Sequence, residues 1–117
     1  MDSQRVALTT PASIRDLVTF QDGAIVSRVL LKNRSGTVTL FAFASGQLLS
    51  EHQTPYDALV HVVEGRGIFQ LDGKDHKVSS GEVLLLPANI PHAVHAKDDF
   101  KMILTMIKNP EADEERT

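Results

Sequence analysis

The chain has 117 residues and a mass of 12.8 kDa, with 42% hydrophobic and 23% charged residues, the composition of one ordinary globular domain. It contains no cysteine, which excludes disulfides, thiolate metal ligands and a cysteine nucleophile, and it has no run of about 18 apolar residues, so no transmembrane helix is expected. The formal charge of −3 arises entirely in residues 111–117, which hold four acids and one base, while the other 110 residues hold 11 acids and 11 bases. A neutral body without a basic stripe argues against a nucleic-acid partner. No basic segment followed by an apolar stretch stands at the N-terminus, and the lack of cysteine fits a reducing compartment. A cytoplasmic location is therefore expected, with no membrane partner.

In chain order, the first candidate element is a strand around Arg5–Leu8, able to pair across an interface. A two-turn helix follows over Ser13–Thr19, capped by Ser13, with Ile14, Leu17 and Val18 on one face. Turn residues then recur at short intervals: Asp22-Gly23, Ser35-Gly36, Gly46, Gly65 and Gly67, Asp72-Gly73, Gly81, Pro87 and Pro91. Between them lie runs rich in Val, Leu, Ile, Phe and Thr, which predict strands near 25–31, 37–44, 58–64, 67–72, 75–78, 82–86, 92–96 and 100–107. Many short strands at this spacing indicate an all-β sandwich or barrel with little helix. Asp72-Gly73 predicts a type I′ hairpin, because both residues tolerate positive φ. Gly65-Arg66-Gly67 resembles a phosphate loop only superficially, since no lysine-serine pair and no helix follow it. The domain is expected over residues 1–110, followed by an acidic, solvated tail over 111–117.

Several predicted strands do not alternate polar and apolar residues. Ala58–Val63 has five apolar residues of six, and Val38–Ala44 and Leu84–Leu86 are apolar on both faces. A half-wet sheet should alternate, so the outer faces need a cover. In a short chain with little helix, a second subunit would supply it, and a homodimer is expected.

Chemistry is sparse. No serine-hydrolase elbow is present, Asp98-Asp99 are strand neighbours that would point to opposite faces, and the five histidines, His52, His61, His76, His92 and His95, are the remaining source. Imidazole ligates metals and titrates near neutral pH. Two stretches carry a family resemblance: GQLLSEHQTPYDALVHVVEG from Gly46 to Gly65, and GEVLLLPANIPHAVHA from Gly81 to Ala96. Together they resemble the two signature motifs of the cupin superfamily, and the short gap between them resembles small single-domain cupins. In the first motif Gly46, His52 and Gly65 match. In the second, Gly81, Pro87 and His92 match, with Asn89 in a glycine position and Ala96 in an asparagine position.

The resemblance implies a double-stranded β-helix, a jelly-roll barrel with one open mouth. It also implies a metal set of three histidines and one glutamate, of which this chain retains His52 and His92. Thr54 occupies the second histidine position and Ala58 the glutamate position. A divalent transition metal would therefore rest on His52 and His92, with Thr54, Tyr56 and Ala58 in the ligand pocket. Asp57, His61 and His95 are the candidates to replace a missing ligand, although strand parity sets them on the opposite face; a bulge after Pro55 would be needed to turn Asp57 inward. His76, next to the hairpin, should be exposed. Met102 and Met106 share one face of their strand and read first as core fillers. Three functions remain open on these residues: binding of a small molecule, with a metal held weakly; metal-dependent catalysis of the dioxygenase or isomerase type on a small organic substrate; and a stand-alone structural or partner-binding module, since fold alone does not fix function.

Overall fold

The computed structural model describes residues 8–112. Nine strands follow one another: β1 (Ile25–Asn33), β2 (Gly36–Phe43), β3 (Leu48–His52), β4 (Tyr56–Glu64), β5 (Arg66–Leu71), β6 (Lys74–Ser79), β7 (Val83–Leu86), β8 (His92–His95) and β9 (Phe100–Lys108). They form a five-stranded sheet in the order β1-β2-β9-β4-β7 and a four-stranded sheet in the order β3-β8-β5-β6. Every pairing is antiparallel. The all-β architecture expected from the turn spacing, and the jelly-roll that the family resemblance implies, are observed. At the β5–β6 hairpin Asp72 has φ 50° and Gly73 φ 83°, the pair of positive angles that a type I′ turn requires.

The two sheets enclose one core. Its far end is aromatic: Phe43 and Phe100 stack with centroids 4.8 Å apart, and Phe69 meets Phe100 edge-on at 5.9 Å. Gly67 lies directly against this plug. A Cβ there would come within 2.6 Å of the Phe100 ring, so the second glycine of Gly65-Arg66-Gly67 makes room for an aromatic side chain.

Three expectations need correction. The helix expected over Ser13–Thr19 is a single 3₁₀ turn, Ile14–Asp16, and Ser13 makes no side-chain cap. A strand that the composition concealed, β3, runs through Leu48–His52 with all five residues exposed. The third correction concerns the outer face of the five-stranded sheet. The chain's own N-terminal segment covers part of it: Val18 is buried with Leu40 and Ala42, and Ile14, Leu17, Phe20, Val63 and Ile103 pack around them. Two cations on the sheet fasten this segment through its backbone. Arg28 Nη1 donates to the Leu17 carbonyl at 3.2 Å, and Lys101 Nζ to the Arg15 carbonyl at 2.8 Å. Lys101 is only 6% exposed, sits 5.0 Å from the centre of the Phe20 ring and pairs with Glu64 at 3.6 Å. The non-alternating pattern of β2 and of the end of β4 thus reflects cover supplied by the same chain. Of the strand expected over Arg5–Leu8, only Leu8 lies within the described residues, in a turn.

Candidate functional site

The two motif histidines meet at the mouth of the barrel, opposite the aromatic end. His52, the last residue of β3, pairs with His92, the first of β8, and their ring centroids are 4.4 Å apart at an interplanar angle of 68°. A register shift between Leu49 and His52 makes this possible. Leu49 faces inward opposite Val94, and a regular strand would send the residue three positions on to the outer face. The extra residue of the bulge restores His52 to the inside.

His92 reaches its place through a braced loop. The Ala88 amide donates to Asp57 Oδ1 at 2.9 Å, the Asn89 amide to the Thr54 carbonyl at 2.7 Å, and the Asp72 amide to the Pro91 carbonyl at 2.9 Å. Asn89 adopts φ 64°, a left-handed conformation that asparagine tolerates better than most residues. It fills a glycine position of the motif at little strain.

Each imidazole is oriented by its own backbone. Nδ1 of His52 lies 2.9 Å from the Ser50 carbonyl, and Nδ1 of His92 lies 3.1 Å from the Ile90 carbonyl. A carbonyl only accepts, so in both rings Nδ1 carries the proton and Nε2, at the far edge of the ring, keeps its lone pair when the ring is neutral. His92 is 7% exposed. Burial pushes its pKa below the ordinary value of 6.5, and the neighbouring His52 adds to this, against an opposing effect of the hydrogen bond to Ile90.

The histidines border a small cavity of about 60 Å³, whose walls include Phe41, Thr54, Ala58, Leu86, Met102, Leu104 and Met106. This is room for one or two water-sized groups. Thr54 and Ala58 line it, whereas Tyr56, half-buried at the start of β4, is not among its lining residues. The Thr54 hydroxyl is turned back on the backbone of Tyr56. A wider and shallower groove of about 390 Å³ crosses the outer face of the four-stranded sheet by Leu48, Gln70, Asp75 and His95. It is open to solvent, whereas the mouth brings the two motif histidines together beside a more enclosed cavity, so the mouth is the better candidate.

The other candidate ligands for a metal set do not reach it. His61 and His95 are exposed at outward positions of β4 and β8, and His76 is exposed on β6. Asp57 spends both carboxylate oxygens on structure, accepting from the Ala88 amide and from Asn109 Nδ2 at 3.1 Å. Among the described residues no three His, Asp or Glu side chains converge as a metal ion would require. The residues present therefore do not fit the three-histidine, one-glutamate set. Sequence reasoning missed the role of Asp57 as the brace of the His92 loop, and it did not place Met106 beside the histidines. The inward parity that Met106 shares with Met102 was the available signal.

A fold of this kind, with paired motif histidines at its mouth, defines a cupin. The cupin domain family model matches residues 39–108, and the chain belongs to that family. A cupin 2 conserved barrel domain protein from Leptotrichia buccalis is 42% identical, with a TM-score of 0.77, over 80% of this chain and 45% of that one. A conserved protein of unknown function from Streptococcus pyogenes is 28% identical, with a TM-score of 0.82, over 86% of this chain and 88% of that one. An uncharacterized protein of Methanocaldococcus jannaschii is 26% identical over 80% of this chain and 78% of its own length. No helix among the described residues is long and apolar enough to cross a membrane.

Proposed function

We propose that this cupin binds a small molecule in the barrel mouth, with the His52 and His92 imidazoles as its polar contacts. The observation that carries this reading is the pair of rings 4.4 Å apart, each with Nδ1 tied to a backbone carbonyl, beside an otherwise apolar cavity. Preformed apolar pockets with a few fixed polar groups are the usual form of small-ligand sites. A divalent transition metal would find two imidazoles and water, so it would be held weakly and only while both rings are neutral. The test is a titration of nickel(II) and of a library of small neutral organic compounds, read on the ring ¹⁵N resonances. At least one of these should shift His52 and His92 together and leave His76 unmoved. A complete series without any response at either ring would overturn the reading.

Metal-dependent catalysis is the second reading. In its favour stands the fold shared with a predicted oxalate decarboxylase from Thermotoga maritima, 17% identical with a TM-score of 0.68; the reduced donor set weighs against it. Elemental analysis of untagged protein separates the two: a full equivalent of metal per chain would favour the enzyme, and less than about a tenth would favour simple binding.

We further propose that the protein acts as a homodimer. The support is the part of the outer sheet face that the described residues leave open. The register aligns Leu31, Val38, Thr105, Leu59 and Leu85 in one row across all five strands. Leu31, Leu59 and Leu85 are 59%, 42% and 51% exposed. A contiguous apolar strip of this kind is uncommon on a monomer, and a second copy would offer a self-complementary cover. Light scattering at micromolar concentration should give twice the chain mass of 12.8 kDa; a monomer mass would refute the assembly.

A further inference from the structure

The inward row of the five-stranded sheet nearest the histidines reads Leu86, Ala58, Met106 and Thr37. Ala58 stands where the cupin motif carries its glutamate. Its direct cross-strand neighbour is Met106, and both line the cavity bordered by His52 and His92. At this position the chain has no oxygen donor, and a thioether stands beside it. Met102 lines the same cavity two inward rows deeper, opposite Val62.

The side-chain donors lining the cavity are therefore two Nε2 lone pairs and the thioethers of Met106 and the deeper Met102, the Thr54 hydroxyl being turned back on the Tyr56 backbone. None of these side chains carries a negative charge. None of the cavity's lining residues carries a carboxylate to offset a buried double charge, and both oxygens of Asp57 are engaged elsewhere. The Born cost of desolvating an ion scales with the square of its charge, so a monovalent ion pays about a quarter of the cost of a divalent one of equal radius. Thioether and imidazole ligands favour soft ions, and among physiological metals a Met-containing set without carboxylate selects copper(I). Copper(I) is also satisfied by two or three ligands, so it does not need the positions that this chain has lost. We infer that the barrel mouth is a copper(I) site, with His52 and His92 as nitrogen ligands and Met106 as the sulfur ligand. This inference rests on the reading that the two histidines form the functional pair. It departs from the divalent centre that the family motif implies.

The experiment uses the full chain, freed of metal, under anaerobic conditions with ascorbate. Copper(I) is titrated in competition with bicinchoninate, and nickel(II) is titrated separately. One copper(I) per chain should bind, at least about a hundredfold more tightly than nickel(II). X-ray absorption of the copper form should contain a copper–sulfur path. Met106→Leu, which preserves side-chain volume, should remove that path and weaken copper(I) by about tenfold or more, with nickel(II) unchanged. His52→Gln and His92→Gln should abolish binding of both ions, and His76→Ala should alter neither. Copper(I) bound no more tightly than nickel(II), or a Met106→Leu variant that retains full copper(I) affinity, would overturn the inference. If nickel(II) or an organic compound still shifts both histidine rings in that case, the two-histidine site survives and only its selectivity for a soft ion falls. If neither copper(I) nor any other probe perturbs the rings, the proposed function falls with it.

Discussion

The two ends of the barrel are built from the same inward-facing rows and serve opposite purposes. At the closed end, Phe43, Phe69 and Phe100 are fully buried and in ring contact. A glycine, Gly67, gives the plug its space. At the mouth, the corresponding rows carry His52, His92, Ala58 and Met106 around a residual void. Aromatic burial and ring contact at one end provide stability, which lets the other end keep a cavity and two polar rings. The difference teaches that stability and chemistry occupy separate layers of one small core, and substitutions should separate them.

The largest effect should come from the closed end. Phe100→Ala removes the ring shared by both aromatic contacts and should cost about 3–5 kcal/mol, measured by urea denaturation; a loss below about 1 kcal/mol would mean that the plug is not the centre of stability. Gly67→Ala should follow. The added methyl meets a buried ring rather than the free end of a flexible chain, so overpacking should cost about 1–3 kcal/mol, with ligand binding at the mouth retained in the folded fraction. A neutral outcome would show that the Phe100 ring moves aside easily.

At the mouth the expected signature is pH dependence. The folded protein holds the His92 pKa below its ordinary value of 6.5, so the unfolded chain binds the proton more readily. The stability contributed by neutral His92 is fully present above pH 6.5 and is lost as pH falls toward the folded-state pKa. His92→Gln should flatten this part of the stability profile between neutral and mildly acidic pH, with a smaller effect at pH 8. Chemical denaturation across that range decides the matter, and an unchanged slope in the variant would assign the acid sensitivity to other groups.

The smallest effect should lie at the C-terminus. Ala112 is 4% exposed, and its carbonyl accepts from Asn89 Nδ2 at 3.3 Å, which ties this point of the chain to the His92 loop. Deletion of residues 113–117, all polar, should shift the melting temperature by no more than about a degree. Deletion from Glu111 should cost more, because it also removes the buried Ala112 and the Asn89 contact. Equal melting temperatures for the two truncations would deny that contact any weight.

By itself, the sequence determined the all-β architecture, most of the strands, the Asp72-Gly73 hairpin and the identity of the two histidines at the mouth. These features depend on local signals: turn residues at short spacing, β-rich runs between them, and two motifs with fixed intervals. It also assigned His61 and His95 to outward positions, because side-chain direction follows strand parity wherever a strand is regular. Only the tertiary structure decided where parity fails. A bulge between Leu49 and His52, in a strand with five exposed residues, turns His52 inward, and no local preference announces an insertion whose energy depends on the partner strand. The cover of the outer sheet face was equally hidden, since Lys101 and Arg28 hold the N-terminal segment through carbonyls that lie 86 and 11 residues away. The neighbourhood of Met106, Ala58 and the two imidazoles likewise joins β3, β4, β8 and β9. Contacts between strands so distant in the chain are set by sheet order and register, which follow from the burial of the whole core and not from any one segment.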